Sequence, residues 1–262
     1  MQFSLVTVDC RQHDRRTLRQ KPFRVAKYIF NYETVSADRI FLDKVLLAGK
    51  NLANKVNPGA ANDSVRRRDS ARILNNCVAG VLSEYLWQRY LNREREVVAV
   101  TTFESASNQV DLKILANDKK IEVRSSFPRN GIEFALCSST HQFDVIGMYS
   151  NRYKPGEIQK DYYLRALFHL GVERYWQKDA QTKIPIIEKL TDKMQRDNFA
   201  VYLTGGATRS MMYDPDTAVT KNFIPDDETD PARLQTGTNY RVVPFSKALD
   251  TVEAGELIKA EE

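Results

Sequence analysis

Near residue 95 the spacing of apolar residues changes from helical to extended. One apolar stripe runs along residues 69–92 at helical spacing, formed by Leu74, Val78, Val81, Leu82, Tyr85 and Leu86. It predicts a long amphipathic helix that begins at Ser64 or Asp69. The next segments, 96–103, 109–115 and 120–127, are rich in β-branched residues or alternate in polarity, which predicts three strands. The predicted order here is one helix followed by three strands.

The remaining segments complete the predicted order of elements. We predict a helix at 34–54, a loop at 57–63, a central strand at 143–149, a helix at 158–178, a strand at 199–203, an exposed acidic loop at 211–238, an edge strand at 240–245 and a frayed helix or tail at the end of the chain. Gly205 and Gly206 are interpreted as a plain turn. Aromatic residues are frequent between 149 and 176, where core packing and stacking on unpaired bases are both open.

Composition and cysteine usage exclude several classes of protein. With 42% apolar and 28% charged residues among 262, the chain can bury a core and is not dominated by disorder. No apolar run approaches a membrane span, and the N-terminus lacks a small-residue cleavage site, so we expect no membrane association and no export. Cys10, Cys77 and Cys137 are too widely spaced for a disulfide framework or a zinc knuckle. We therefore expect a cytoplasmic protein.

Positive charge is concentrated at the front of the chain. Residues 1–100 carry 18 basic and 10 acidic side chains, whereas residues 201–262 carry 6 and 11. The basic residues form two clusters: Arg11, Arg15, Arg16, Arg19, Lys21, Arg24 and Lys27, and then Arg66, Arg67, Arg68 and Arg72. This distribution suits a surface that binds a polyphosphate, and a solvated charged face is the alternative.

The predicted hairpin of 109–115 and 120–127 carries the most informative polar residues. Alternation places Val110, Leu112, Ile114, Ile121 and Val123 on one face and Asp111, Lys113, Lys120, Glu122 and Arg124 on the other. A turn centred on Asn117 and Asp118 gives paired residue numbers that sum to 235, so Asp111 faces Arg124 and Lys113 faces Glu122. Asp111 and Glu122 are then diagonal neighbours, roughly 7 Å apart between Cα atoms, and can share a divalent cation.

Asp111, followed after ten residues by Glu122-Val123-Arg124, resembles the D-(x)n-(D/E)-x-K signature of the PD-(D/E)XK nuclease superfamily, which has the restriction-endonuclease-like fold. In that superfamily a β-hairpin carries the signature beside a preceding helix that often supplies another acidic residue, and here that residue is Glu84. The resemblance covers about residues 66–150.

The resemblance implies an α/β fold with a restriction-endonuclease-like mixed central sheet flanked by helices, and with extra N-terminal helical and C-terminal elements. It divides the chain into a basic, helical extension for DNA contacts or dimerisation at 1–65, a nuclease-like core at 66–206, and an acidic loop with a C-terminal edge or tail at 207–262.

It also implies the residues of the site. Asp111 and Glu122 would hold Mg²⁺, for which Mn²⁺ can substitute, and the backbone carbonyl of Val123 would be a further ligand. Glu84 would ligate a second metal ion or orient a water molecule. Arg124 stands where the superfamily usually has Lys, and Val110 where it usually has Pro.

The arginine is the larger departure from the signature. A guanidinium stays protonated, so Arg124 cannot be a general base, although it can pair with the scissile phosphate. Lys113 and Lys120 project from the same predicted face and can supply the missing ammonium group. Of the two, Lys113 is nearer the predicted carboxylate pair.

The implied reaction is hydrolysis of a phosphodiester by a metal-activated water. The DNA backbone would be held by the basic residues Arg66, Arg67, Arg68, Arg72, Arg19, Lys21 and Arg24. We expect a Mg²⁺-dependent DNA endonuclease and, within the superfamily, a type II restriction endonuclease that acts on double-stranded DNA as a homodimer. Two alternatives stay open: a DNA repair or recombination nuclease of the same fold, and a non-catalytic DNA-binding protein with a decayed nuclease site.

Overall fold

A computed structural model describes residues 1–10, 22–31, 36–56, 70–96, 99–102, 110–128, 132–137, 144–150, 159–169, 190–196, 198–222 and 239–262. The described strands are β1 (Gln2–Val8), β2 (Phe23–Phe30), β3 (Ala99–Thr102), β4 (Val110–Ile114), β5 (Lys120–Ser126), β6 (Val145–Ser150), β7 (Tyr162–His169), β8 (Phe199–Thr208), β9 (Val219–Asn222) and β10 (Asn239–Val243). The described helices are α1 (Ser36–Ala53), α2 (Ser70–Glu94), α3 (Ile132–Cys137), α4 (Leu190–Arg196), α5 (Arg209–Tyr213) and α6 (Thr251–Ala260). The fold is α/β, as predicted.

Seven strands form one mixed sheet in the order β1-β2-β8-β7-β5-β4-β3. Strands β5 and β7 are parallel, and the other neighbours in this sheet are antiparallel. The strands β6, β10 and β9 form a second, antiparallel sheet in that order. The predicted hairpin is present as β4 and β5, which places its charged residues beside β7.

The largest hydrophobic cluster joins α1, α2 and α6 to the seven-stranded sheet. Helix α2 lies where the apolar stripe predicted it, with Val78, Leu82 and Leu86 fully buried. Helices α1 and α2 meet at Gly49, where an added Cβ would lie 2.4 Å from Val78 Cγ2. Close packing of the two helices therefore requires glycine at this position.

Two smaller clusters lie elsewhere on the seven-stranded sheet. One packs α3 against residues of β2, β7 and β8, including Phe23, Leu167 and Tyr202. The other joins the three-stranded sheet to β7 and β8 through Val145, Val243 and Tyr163, among others. The three-stranded sheet is thereby fixed beside β7, the strand that neighbours the hairpin.

The helix predicted at 158–178 is wrong over its described part, which is the strand β7. All of its side chains from Tyr162 to Phe168 are buried. A strand covered on both faces is apolar along its whole length, so some of its apolar residues also fall at helical spacing. Residues 170–178 lie outside the described part of the chain.

The roles predicted for two other strands are reversed. The segment predicted as a central strand, 143–149, contains β6, which is an edge of the three-stranded sheet. The segment predicted as an edge strand, 240–245, contains β10, the middle strand of that sheet. Strand β6 is apolar because it packs on the larger sheet through Val145, and not because strands flank it on both sides.

Gly205 and Gly206 lie inside β8 and do not form the predicted turn. Gly205 has a φ of 76°, and an added Cβ would lie 2.0 Å from the carbonyl oxygen of Leu249. Gly206 and Leu249 exchange backbone hydrogen bonds of 3.0 and 2.9 Å. The two glycines thus let the segment before α6 lie directly against β8.

The terminal segments are better ordered than predicted. Of the two alternatives predicted for the end of the chain, a frayed helix or a tail, the structure shows a helix, α6, whose capping box is formed by Asp250 and Glu253. The predicted acidic loop at 211–238 begins with part of α5 and then β9, and residues 223–238 lie outside the described residues.

Strands β1 and β2 belong to the same sheet as the hairpin, so the sheet crosses the predicted boundary between 1–65 and 66–206. The loop predicted at 57–63 is also not described.

Arg24, predicted to contact DNA, is paired with the cap of α6. Its Nε and Nη2 atoms donate to Asp250 at 2.6 and 3.1 Å, and Asp250 is 1% exposed. Replacing Arg24 with Met removes two hydrogen bonds to a buried charge, so we expect the free energy of unfolding to fall by about 2 kcal/mol. Urea denaturation measures this change, with Lys50→Met on the exposed side of α1 as the control. Equal stability of the two variants would contradict a structural role for Arg24.

Candidate active site

The β4–β5 hairpin has a different register from the one predicted. Leu112 lies opposite Ile121 and Lys113 opposite Lys120, so paired residue numbers sum to 233. The turn begins one residue earlier than predicted, because Ile114 N–H donates to the carbonyl of Lys119 at 2.9 Å. Asp118 closes the turn with a φ of 60°. The observed sum differs from the predicted sum of 235 by two residues. Because side chains alternate between the two faces with a period of two, each side chain keeps its predicted face.

Asp111 and Glu122 lie at the point where the β4–β5 pairing ends. Continuing the register places them directly opposite each other, where the prediction made them diagonal neighbours. Beyond Leu112 the backbone pairing is replaced by a side chain, since the Val123 N–H donates to Asp111 Oδ2 at 2.7 Å. The two carboxylate residues are 6% and 7% exposed. The hairpin thus brings two acidic residues together in a largely dehydrated position.

Glu84, on α2, is affected by the charges of Asp111 and Glu122. Burial raises the pKa of its carboxyl well above the ordinary value, and the negative charges of Asp111 and Glu122 raise it further. The hairpin register places Asp111 beside Glu122, and Glu84 is near enough for the charges of both to act on its carboxyl. Three such groups in a low-dielectric setting repel one another, which favours a proton or a cation among them.

The raised pKa of Glu84 has a consequence for stability. A carboxyl whose pKa is higher in the folded than in the unfolded state destabilises the fold as pH rises from its unfolded pKa towards its folded pKa. Glu84→Gln removes this penalty, so in EDTA at pH 7.5 we expect Tm to rise by at least about 2 °C, the shift produced by about 1 kcal/mol in a chain of this size. Near pH 4 the two proteins should melt together.

The matched control is Glu94→Gln, an exposed residue of the same helix. It should leave Tm unchanged at both pH values. If the Tm of the wild-type protein at pH 7.5 equals or exceeds that of Glu84→Gln, the Glu84 carboxyl does not destabilise the fold and the prediction is wrong.

Two cations contact the Glu122 carboxylate. The Arg124 Nη2 atom lies 2.9 Å from Glu122 Oε1, and the Lys160 Nζ atom lies 3.9 Å from Oε2. The predicted pairs Asp111 with Arg124 and Lys113 with Glu122 do not follow from the observed register. Glu122 instead faces an arginine from its own strand and a lysine that precedes β7.

Lys160 is the site residue that the sequence reasoning missed. It is 2% exposed, a rare degree of burial for a lysine. Its position is fixed by the next residue, because Asp161 and Lys120 exchange hydrogen bonds of 2.8 Å that align the start of β7 with β5. The sequence signal is weak. Lys160 lies two residues before an apolar run that begins at Tyr162, and only the parallel pairing of that run with β5 brings Lys160 to Glu122.

Arg165 places a further buried cation beside the site. It lies opposite Arg124 in the β5–β7 pairing, and its Nη2 atom donates to Ser126 Oγ at 2.7 Å. Burial lowers the pKa of Arg165 to about 10, with a smaller contribution from the charge of Arg124. The guanidinium is still protonated at neutral pH, and the negative charge of Asp144 favours this charged form.

The other predicted basic residues are not brought to the carboxylates in the described structure. Lys113 Nζ lies 2.8 Å from Asp118 Oδ1 at the turn, and Arg24 is held by Asp250. Four arginines and one lysine predicted to contact DNA lie outside the described residues, namely Arg19, Lys21, Arg66, Arg67 and Arg68. The side chain of Arg72 also lies outside them.

The donor chemistry of the site fits a divalent cation, since Asp111, Glu122 and Glu84 offer carboxylate oxygens and Val123 offers a carbonyl. Burial is the main cause of the raised pKa of Glu84, and a cation would relieve the further rise that the charges of Asp111 and Glu122 cause. Within the described ranges, no three His, Cys, Asp or Glu side chains already converge as a metal-binding group. Asp111 is turned towards a backbone N–H, and Glu122 towards two cations.

Comparison of the chain with protein-family models, with curated proteins and with solved structures gives no match. Among the helices of the described segments, none is both long and apolar enough to cross a bilayer.

Proposed function

We propose that this protein is a Mg²⁺-dependent DNA endonuclease with a restriction-endonuclease-like core. The observation that carries the proposal is the grouping of Asp111, Glu122 and Glu84 around the end of the β4–β5 pairing, with the Lys160 ammonium beside Glu122. Buried carboxylates next to a buried ammonium and a guanidinium suit a reaction in which a metal ion and fixed cations act on a phosphate.

The order of elements around the site supports the same proposal. Helix α2 is followed by the antiparallel strands β3, β4 and β5, then by α3, by β6 of the three-stranded sheet, and by β7, which is parallel to β5. The acidic residues lie on the helix and on the two hairpin strands of this unit. The resemblance implies a hairpin that carries the signature beside a preceding acidic helix, and α2 with the β4–β5 hairpin agrees with that part of the expectation.

Each residue has a distinct proposed role. When bound, Mg²⁺ supplies an activated water and polarises the phosphoryl oxygen; Mn²⁺ can replace it. Asp111, Glu122 and the Val123 carbonyl hold the ion, and Glu84 accepts a proton or a second ion. Lys160 replaces the lysine missing from position 124, and its ammonium stabilises negative charge that develops on the phosphate. Arg124 pairs with a phosphate oxygen and cannot remove a proton.

Within this class, a type II restriction endonuclease that cuts double-stranded DNA as a homodimer in the cytoplasm is the proposed role, and a repair or recombination nuclease is its alternative. Incubating the protein with plasmid DNA and Mg²⁺ tests the activity itself. Discrete fragments support restriction, and cleavage of flapped or branched DNA alone supports repair. An absence of any cleavage with Mg²⁺ or Mn²⁺ overturns the nuclease proposal.

One observation favours a second candidate from another class. The ion pair of Glu122 with Arg124 already neutralises the carboxylate, as expected of a DNA-binding protein whose nuclease site has decayed. Such a protein would shift the mobility of DNA in a gel to the same extent with and without Mg²⁺, and would cleave none of the substrates.

A further inference from the structure

The three-stranded sheet brings two tyrosine rings to the edge of the candidate active site. Tyr149 on β6 is the direct cross-strand partner of Tyr240 on β10. Their ring centroids are 5.3 Å apart, and the planes are inclined by 36°. The guanidinium carbon of Arg124 lies 5.2 Å from the centroid of the Tyr149 ring. The ring pair is therefore joined through Arg124 to the carboxylate of Glu122.

These two rings keep part of their surface exposed. Both side chains are half-buried, and neither is among the described residues of the three hydrophobic clusters. By contrast, the tyrosines of β7, Tyr162 and Tyr163, are buried members of those clusters. Core packing, one of the two uses left open for the aromatic residues of 149–176, is thus confirmed for Tyr162 and Tyr163.

Positive charge flanks the ring pair on both sides. Arg124 lies against Tyr149, and Lys221 on β9 is the cross-strand partner of Tyr240. The Lys221 ammonium contacts the buried Asp144 and is itself partly exposed. A row of two aromatic rings between two cations suits a single-stranded nucleic acid, whose phosphates are negatively charged and whose bases stack on aromatic rings.

We propose that Tyr149 and Tyr240 form a stacking platform for unpaired DNA bases beside the active site. A base can stack on a side-chain ring only where it has left the duplex, so the bound DNA has a single-stranded segment at this point, as in a flap, an overhang or a bubble. This inference rests on the proposed function for its choice of DNA as the ligand, and it deepens that function by naming the substrate class. Within the proposed nuclease class, it favours the repair or recombination alternative, which cleaves branched or flapped DNA, over a restriction endonuclease that cuts an intact duplex.

The test is binding of a single-stranded oligonucleotide that carries 2-aminopurine, whose fluorescence is quenched by stacking, to the full chain in EDTA. We expect quenching with the wild-type protein and with Tyr149→Phe, and weaker binding by roughly ten-fold or more, with loss of quenching, for Tyr149→Leu and Tyr240→Leu. Phe3→Leu, a half-exposed ring on the far edge strand β1, is the matched control and should bind as the wild type does.

The outcomes separate this proposal from the proposed function. Equal binding and quenching by all variants would overturn the platform, and Mg²⁺-dependent cleavage would still stand on its own. Quenching that depends on the tyrosines in a protein that never cleaves DNA would support the platform and overturn the nuclease. Preference for a fully paired duplex over the single strand would also overturn the platform.

Discussion

Replacing Glu122 with Gln should reduce Mg²⁺-dependent cleavage of DNA on the order of a hundred- to a thousand-fold. Gln keeps the size of the side chain and its acceptor oxygen, but it removes the negative charge needed to hold a divalent cation. Affinity for DNA should stay the same or rise, because a negative charge near the phosphate is removed. Single-turnover cleavage and anisotropy of labelled DNA measure the two effects separately.

The control for this variant is Glu256→Gln, an exposed carboxylate on α6. It should cleave at the wild-type rate. Glu122 also pairs with Arg124 and Lys160, so a thermal melt of Glu122→Gln must first show a cooperative transition at the assay temperature. A folded Glu122→Gln protein that cleaves at the wild-type rate would remove Glu122 from the site.

Replacing Lys160 with Met should reduce cleavage by about a hundred-fold, and the same change at Lys113 should have almost no effect. The two lysines differ only in where the fold places them: Lys160 Nζ is buried 3.9 Å from Glu122, whereas Lys113 Nζ pairs with Asp118 at the exposed turn. Met preserves the aliphatic stem of Lys in both variants. Cleavage rates at saturating Mg²⁺ provide the comparison.

A merely structural role for Lys160 would be revealed by a different pattern. In that case Lys160→Met would melt at a lower temperature, and Lys160→Arg would restore stability and cleavage together. If the ammonium acts on the phosphate, Lys160→Met should still bind Mn²⁺ while failing to cleave. Equal loss of cleavage in the Lys113 and Lys160 variants would contradict the assignment of Lys160.

The sequence predicted the hairpin and its two faces because alternation of polarity is a local property. The predicted and the observed registers differ by two in the sum of paired residue numbers. An even difference leaves Asp111 and Glu122 on the same face, so misplacing the turn did not separate them. The turn was misplaced because the segment from Leu115 to Lys119 allows more than one four-residue turn. The conformation of Asp118, with its positive φ, selects the observed one.

Lys160 and the sheet order could not be read from local patterns. Strand β7 pairs with β5 across more than thirty intervening residues, and its apolar run is equally compatible with a buried helix. The same long-range pairing places Arg165 opposite Arg124. Residues that reach the site through parallel pairing are therefore hidden from periodicity, whereas Glu84 was predicted because the resemblance implies an acidic residue on the helix before the hairpin.

The central claim is that Asp111 and Glu122 hold a divalent cation, and binding of Mn²⁺ followed by electron paramagnetic resonance tests it without any substrate. The wild-type protein should remove the signal of free Mn²⁺ saturably, Mg²⁺ should restore that signal by competition, and the double variant Asp111→Asn, Glu122→Gln should leave it unchanged. The same saturable binding in the wild type and the folded double variant, or none in either, would contradict the account.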